Sequence, residues 1–258
     1  MLIDTHCHLT DERLLPEVSE VIASAARAGV ERLVTVGYDR ESSLAGAALA
    51  DEHAGVWCAL GVHPHDASSW TAETGAEFAR IAAENAKVVA IGEIGLDYHY
   101  DLSPREVQRE VFARQLALAD ECGLPAALHV REAYGDCLAV LKENSSLLGH
   151  GVLLHCWSGS PESVREFSAF DAYFAFGGSL TFKGAHKGAE SLALVPRDRL
   201  LLETDAPYLT PVPFRGRVNR PEYVAYVAGK VAEVLGISRE EVEEITTENA
   251  KRLFKRMK

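Results

Sequence analysis

Two histidines near the start of the chain have the spacing of metal ligands on a β-strand. His6 and His8 lie in the segment Ile-Asp-Thr-His-Cys-His, and because side chains alternate across a strand, both imidazoles project from one face. Neutral imidazole is the commonest metal ligand in proteins. Further residues of ligand type each stand where a separate apolar run ends, namely Glu93, His129, His155 and Asp205. The pattern therefore predicts a metal centre at the ends of several strands.

The types of these residues define the chemistry of such a centre. Four imidazoles and two carboxylates suit Zn²⁺, Mn²⁺ or a similar divalent ion, and suit Mg²⁺ less well because Mg²⁺ prefers oxygen ligands. Glu93 is placed to bridge two ions about 3.5–4 Å apart, whose shared water or hydroxide would have a pKa near ~7. Asp205 would bind one ion and act as general base toward that water. The reaction class is metal-assisted hydrolysis of an ester, an amide or a phosphodiester.

Each residue taken alone also has a purely structural interpretation. A single His-x-His pair at a strand end is more often not a metal site. His129 or His155 alone would more often be a hydrogen-bonded histidine at the rim of a fold, and Glu93 or Asp205 a satisfied buried carboxylate. Chance rarely places six residues of ligand type after five different strands, so the joint pattern favours the metal centre.

The elements that would position these residues alternate regularly along the chain. Helical stretches separate short apolar runs, most of them continuously apolar like parallel strands covered on both faces, at residues 2–5, 32–37, 56–60, 87–92, 125–129, 151–156, 172–177 and 199–204. Eight alternations in 258 residues predict an α/β fold, a (β/α)8 TIM-type barrel, with an open doubly wound sheet as the alternative. The barrel is favoured because its strands end at one common point. We expect one domain over residues 1–258.

Local signals predict where some helices and loops begin and end. Apolar residues at spacings of three and four predict a helix over 13–28. Ser103 followed by Pro104 predicts the N-cap and first residue of a helix over 104–122. Ser238 begins a capping-box pattern, with Leu253 and Phe254 expected to dock the C-terminal end. The proline-rich segment 207–217 follows the eighth run and predicts a substrate loop.

Composition limits the possible partners and location. The chain has 26 Lys plus Arg against 38 Asp plus Glu, a net charge of −12, which argues against a broad basic surface for duplex DNA. Metal ions can still supply local positive charge for phosphates. We expect neither a signal peptide nor a membrane span. The five cysteines are odd in number and lack Cys-x-x-Cys spacing, so we expect reduced thiols in a cytoplasmic protein with no obligate protein partner.

Seven motifs spread over nearly the whole chain carry a resemblance to a known family. They are Ile3–His8, Gly61–His65, Ile91–Tyr98, His129–Ala133, His155–Ser160, Glu203–Pro207 and Asn219–Pro221. In them the sequence resembles the TatD family of metal-dependent hydrolases, within the amidohydrolase-like barrels. The resemblance implies two divalent metal ions and a deoxyribonuclease, often a 3′-to-5′ exonuclease, with single-stranded DNA or 3′ ends as substrate. By position, one ion would be held by His6, His8, Glu93 and Asp205, and the other by Glu93, His129 and His155.

Residues beside the predicted ligands are candidates for substrate contacts. Arg131 lies two positions after His129 and would bind a phosphate through its guanidinium, with a rim salt bridge as the alternative. His63 is assigned to substrate binding, where it would contact the scissile phosphate or the metal-bound water. For His65, a functional role and support of the loop both remain open. Glu203 points inward by strand parity, and would orient a metal ligand or help to hold a third ion.

Further residues extend these expectations to the substrate loop. Asp4 has the same strand parity as His6, so the same two roles are open to it as to Glu203: orienting a metal ligand or helping to hold a third ion. Local positive charge for a nucleic-acid strand is expected from Lys183, Arg215, Arg217 and Arg220, with scattered solvated charge as the alternative. Phe214 and Trp157 depart from the family pattern, in which histidine and phenylalanine respectively are common. Phe214 lies in the predicted substrate loop, so this departure concerns substrate preference and not the two-metal core.

Three classes of function compete. The first is a deoxyribonuclease in which a metal-bridging hydroxide attacks the phosphodiester, with Asp205 as general base. The second is an ester or amide hydrolase, such as a D-aminoacyl-tRNA deacylase or a small-molecule amidohydrolase, because the same hydroxide can attack carbonyl carbon and the fold does not decide between them. The third, a non-catalytic scaffold, is disfavoured because every proposed ligand and the candidate base are present.

Overall fold

Eight parallel strands form the centre of the fold in the computed structural model, which describes residues 1–257. Each strand pairs with the next one along the chain, so the strand order is the sequence order. The strands are β1 Leu2–Cys7, β2 Val30–Val36, β3 Val56–Leu60, β4 Val88–Asp97, β5 Ala126–Arg131, β6 Val152–Leu154, β7 Tyr173–Phe176 and β8 Leu200–Leu202.

Helices connect the strands and provide the outer layer. They are α1 Val18–Arg27, α2 Arg40–Glu52, α3 Ala72–Glu84, α4 Arg105–Glu121, α5 Tyr134–Glu143, α6 Pro161–Ser168, α7 His186–Leu192, α8 Val224–Leu235 and α9 Arg239–Leu253. The strand–helix alternation with parallel pairing confirms the predicted (β/α)8 TIM-type barrel. An open doubly wound sheet is wrong for this chain, because such a sheet reverses its strand order part-way. No helix among residues 1–257 is both long and apolar enough to cross a bilayer.

The seam between β1 and β8 closes the barrel through individual contacts. The His8 amide donates to the Ala206 carbonyl at 2.7 Å. The buried Asp4 side chain accepts hydrogen bonds from the Thr204 amide at 2.9 Å and from the Thr204 hydroxyl at 2.5 Å. Asp4, for which the parity argument left a metal-related role open, therefore lies in a structural joint between the first and last strands.

Apolar side chains fill the barrel on both sides of the sheet. The larger cluster lies between strands and helices and includes Leu33, Phe78 and Phe112. A smaller cluster combines strand residues with Phe254 and Met257 at the end of the chain. The expectation that the C-terminal end docks on the fold is thus confirmed.

Element bounds differ from expectation where tertiary contacts override local patterns. β4 runs on to Asp97, beyond the predicted end at 92, through a register shift between Ile91 and Ile94. A 3-10 turn interrupts the helix predicted over 13–28, so that α1 begins only at Val18. The N-cap of α4 is Pro104 and not Ser103, because the Ser103 hydroxyl instead donates to the carbonyl of the loop residue His65 at 2.8 Å.

Candidate metal centre

Glu93 lies at the middle of a cluster formed by residues at the C-terminal ends of β1, β4, β5 and β6 and just beyond β8. Its side chain is buried, with the residue only 4% exposed. The two carboxylate oxygens face different sets of donor atoms. This division is the central feature of the site, because it allows one carboxylate to serve two positions.

The Oε2 atom of Glu93 faces the pair of histidines at the end of β1. It lies 3.6 Å from Nε2 of His6 and 3.7 Å from Nε2 of His8. Oδ1 of Asp205 lies 3.4 Å from Nε2 of His8 and 4.0 Å from Nε2 of His6. The four residues predicted for the first ion therefore present two nitrogen and two oxygen atoms to one small volume.

The Oε1 atom of Glu93 faces a second group of imidazoles. It lies 2.8 Å from Nδ1 of His129 and 2.9 Å from Nε2 of His155. His63, which the sequence assigned only to substrate contact, also reaches this oxygen, with its Nε2 3.7 Å away. His63, Glu93 and His129 together form one of the groups whose donor atoms lie within 4.8 Å of one another. The structure thus adds His63 to the six convergent residues.

Hydrogen bonds on the outer sides of two imidazoles determine which nitrogen each presents to the centre. Nδ1 of His8 lies 2.9 Å from the Val36 carbonyl, which can only accept, so Nδ1 carries the proton and Nε2 keeps a free lone pair. Nε2 of His129 lies 3.0 Å from Oδ2 of Asp97, which leaves Nδ1 directed at Glu93. Both rings are therefore oriented with one nitrogen on a fixed outer acceptor and the other toward the centre, as outer partners orient metal ligands.

Glu203 supports the opposite side of the cluster. It is fully buried, and its Oε1 accepts a hydrogen bond from the Cys156 amide at 2.6 Å and lies 3.4 Å from Nδ1 of His155. His6, His155 and Glu203 also form a group with donor atoms within 4.8 Å of one another. Its position is compatible with both roles considered from the sequence, orientation of a metal ligand and contact with a further ion.

The carboxylates of the centre are ionised despite their burial. Burial by itself raises the pKa of Glu93, but the charge of the His155 ring and the hydrogen bonds with His129 and His155 hold that pKa well below its ordinary value. Burial likewise opposes ionisation of Asp205, and its hydrogen bond with His8 lowers the pKa below the usual range. Burial and the neighbouring His129 hold the pKa of His63 well below its ordinary value, so this ring is neutral. An ionised carboxylate is the form that binds cations. Neighbouring carboxylates, Glu93 among them, raise the pKa of His155 and of His129 against the effect of burial, so a bound cation would displace protons from these rings.

The donor set fits divalent metal ions. Three polar atoms around the centre are buried without a hydrogen-bond partner among residues 1–257: Nδ1 of His6, Nδ1 of His155 and Oε2 of Glu203. Buried polar atoms are rarely left unsatisfied in native proteins. Mixed nitrogen and oxygen donors at such spacing suit Mn²⁺, Zn²⁺ and related ions.

The residues predicted to contact the substrate differ in how far their side chains are engaged by other residues. Arg131 is exposed at the end of β5, with its guanidinium 4.9 Å from the ring centroid of Tyr100. Arg220 forms an ion pair with Glu17 at 2.8 Å, which supports the alternative of solvated surface charge at that position. Phe214 stacks on Tyr223 with ring centroids 4.5 Å apart. Tyr100 is a candidate that sequence reasoning missed, although its place just after the Glu93 motif could have drawn attention to it.

Comparison with known proteins identifies the family. The model of the family described as "TatD related DNase" matches residues 3–255. The metal-dependent hydrolase YabD of Bacillus subtilis is 47% identical over 255 residues, covering 99% of both chains. The chain belongs to the TatD family. It is accordingly a metal-dependent hydrolase, as the resemblance of its motifs implied.

Further TatD-family relatives agree over the full length. A protein from Cronobacter sakazakii named "3′-5′ ssDNA/RNA exonuclease TatD" is 38% identical over 260 residues, covering 98% of this chain and 97% of the relative. The crystal structure of the TatD homologue YjjV from Escherichia coli superposes with a TM-score of 0.92 at 31% identity, with 98% of each chain covered. The predicted family and fold are both confirmed.

Proposed function

We propose that the protein is a two-metal nuclease that removes nucleotides from the 3′ ends of single-stranded DNA. One observation carries the proposal: the two carboxylate oxygens of Glu93 each face a separate group of donor atoms. The name of the Cronobacter sakazakii relative, a 3′-5′ ssDNA/RNA exonuclease, supports the choice of substrate. Two-metal sites with a bridging carboxylate are well suited to phosphodiester cleavage.

The proposal assigns the convergent residues to two ions. One ion would be bound by His6, His8, Glu93 and Asp205, and the other by Glu93, His129 and His155. His63 would contact the phosphate or complete the second position, and Glu203 would hold His155 in place. When bound, the ions would supply Lewis acidity that lowers the pKa of a water between them to roughly 7.

Residues of the chain would supply proton transfer and orientation. Asp205 is ionised and reaches the centre through Oδ1, 3.4 Å from Nε2 of His8, so it can accept the proton of the attacking water as general base. Asp97 holds the ring of His129 through the contact at 3.0 Å. Arg131 would bind a phosphate of the strand, because no carboxylate among residues 1–257 forms an ion pair with it.

We also propose that residues 1–258 act as a single domain in the cytoplasm. All five cysteines are free, and free thiols persist in a reducing compartment.

The test is digestion of a 5′-labelled single-stranded oligonucleotide with Mn²⁺ or Mg²⁺. We expect a ladder that shortens one nucleotide at a time and is abolished by EDTA and by Asp205→Asn. A matched control is Asp198→Asn, because Asp198 precedes β8 at the opposite end of the barrel and its side chain is 62% exposed. This control should leave cleavage unchanged.

The outcome that contradicts the nuclease is equally concrete. If the metal-loaded wild-type protein leaves single-stranded DNA and RNA intact, the substrate assignment is wrong. Hydrolysis of an aminoacyl-tRNA ester or a small amide by the same protein, lost in Asp205→Asn, would then assign the site to the alternative ester or amide hydrolase.

A further inference from the structure

Tyr100 presents an exposed aromatic ring beside the candidate metal centre. The residue lies in the loop that follows β4 and is 55% exposed, although tyrosine usually buries much of its ring. The ring contacts His65 edge-on, with centroids 5.3 Å apart and an interplanar angle of 89°. Nε2 of His65 in turn lies 3.1 Å from Oδ2 of Asp97, the carboxylate that supports His129.

Asp97 positions this loop relative to the centre. Its Oδ1 accepts hydrogen bonds from the backbone amides of His99 and Tyr100, both at 2.9 Å. Its Oδ2 lies 3.0 Å from Nε2 of His129. One carboxylate therefore ties the backbone of Tyr100 to a candidate metal ligand, so the ring has a defined position relative to any substrate held at the centre.

Arg131 lies against the Tyr100 ring. Its guanidinium lies over the Tyr100 ring, 4.9 Å from the centroid. A guanidinium over an aromatic ring is held by cation–π attraction while its N–H groups stay available to a phosphate. The pair thus offers an anion-binding group and a flat apolar surface next to each other, which is the combination found where proteins bind single-stranded nucleic acid.

A second exposed tyrosine near the centre differs in the arginine that lies over its ring. Tyr208 lies 5.9 Å from the His8 ring, and Arg13 covers it at 4.4 Å. Arg13, however, is held by two hydrogen bonds from its guanidinium to Asp11, each at 2.8 Å, and the Tyr208 hydroxyl donates to the same carboxylate at 3.3 Å. That group is satisfied internally, whereas Arg131 has no carboxylate partner in the described chain.

We propose that Tyr100 stacks on an unpaired nucleobase of the substrate while Arg131 binds an adjacent phosphate. This inference rests on the proposed nuclease function and adds the residue that recognises the bases. Stacking on tyrosine is tolerant of sequence because every base has an aromatic face. A base inside a duplex has both faces covered by its neighbours, so the same contact favours single strands.

Steady-state cleavage of a 5′-labelled single strand tests the role of the ring. Tyr100→Ala should raise KM roughly 5- to 150-fold, the range expected when one base–aromatic stack is lost, with kcat changed by less than about twofold. Tyr100→Phe keeps the ring and should restore KM. The control is Trp57→Ala, because Trp57 near the start of β3 carries Lys87 on its ring at 4.1 Å but lies at the other end of the barrel. Thermal unfolding verifies that all three variants are folded.

Oligonucleotides with single abasic positions then test contact with a base. In the wild type, removing the base that stacks on Tyr100 should raise KM as much as the alanine variant does, and the two changes together should cost no more than either alone. Equal KM for Tyr100→Ala and wild type, or an identical penalty at every abasic position, would overturn the proposal. Absence of cleavage by the wild type would instead overturn the nuclease function itself.

Discussion

Replacing Asp4 by alanine is expected to open the seam between β1 and β8. Asp4 is fully buried and accepts hydrogen bonds from the Thr204 amide at 2.9 Å, the Thr204 hydroxyl at 2.5 Å and the His6 amide at 3.3 Å. The truncation removes the acceptor and leaves these donors inside the barrel. Because β8 is only three residues long, few backbone contacts remain to hold the two strands together.

The size of the effect follows from the number of donors left unpaired. Each buried donor without a partner costs about 1–3 kcal/mol, and one or two will relax or bind water, so we expect a loss of about 3 kcal/mol. Burial raises the pKa of Asp4 to about 8. The carboxyl group is therefore mostly neutral at pH 7. Its removal consequently does not offset the loss by relieving the desolvation cost of a buried charge. For a domain of this size the unfolding midpoint should fall by roughly 6–12 °C.

Urea unfolding in EDTA measures this loss without any contribution from bound metal. Asp4→Ala, Thr204→Val and the double variant form a cycle in which the coupling free energy should be about 1–2 kcal/mol. Asp198→Ala is the matched control; it removes only an exposed ion pair with Arg199 and should change stability by less than about 1 kcal/mol. A loss below about 1 kcal/mol for Asp4→Ala, or additive effects in the cycle, would refute the role of Asp4 at the seam.

Three other perturbations have definite expected outcomes. Gly95 has φ +137°, and a Cβ there would lie 2.1 Å from a backbone oxygen of β5. Gly95→Ala should therefore lower the free energy of unfolding in urea by about 3 kcal/mol. An unchanged free energy would contradict this close approach of the two strands. Hydrogen bonds from Arg13 lower the pKa of Asp11 below its usual 3.8. Asp11→Asn should therefore lower the free energy of unfolding by about 1 kcal/mol at pH 7. This difference should be fully present above pH 3.8 and should vanish as the pH falls through the lower pKa of the folded state. A difference that does not depend on pH would exclude the ion pair as its cause. Glu203→Gln should weaken Mn²⁺ binding in calorimetry about 10- to 100-fold by loosening His155, whereas unchanged affinity would reduce Glu203 to a structural residue.

Features that depend on local sequence could be predicted before the structure was known. Apolar runs and the residues just after them are read directly from the chain, and the ends of parallel strands in a barrel meet at one pole. For this reason we expected the six side chains to meet at that pole, and the structure places them together there; their binding of metal stays a prediction. The placement of Glu93 after the fourth run suggested a bridging carboxylate, but the two sets of ligands around it came from the family resemblance. In the structure the two oxygens of Glu93 do face separate groups of donor atoms.

Features that depend on distant partners could not be predicted. Glu17 and Arg220 are 203 positions apart, and no local pattern connects them. Ser103 has the sequence of an N-cap, but the competing acceptor on the His65 carbonyl exists only in the folded loop. The approach of His63 to Glu93 similarly depends on how the loop after β3 turns over the barrel mouth, where a proline motif specifies a bend but not its direction.

The seam links stability to metal binding through the ends of the chain. His6 lies in β1, His8 follows that strand directly and Asp205 follows β8, with the Asp205 amide donating to the His6 carbonyl at 2.9 Å. An ion held by these three residues would join the same two strands that Asp4 joins. Metal binding and folding are thermodynamically linked. If loosening the seam weakens metal affinity, the stabilisation that saturating metal provides must fall by the same free energy. Asp4→Ala should therefore gain less stability from Mn²⁺ than the wild type does, although Asp4 contacts Thr204 and is not one of the convergent candidate ligands.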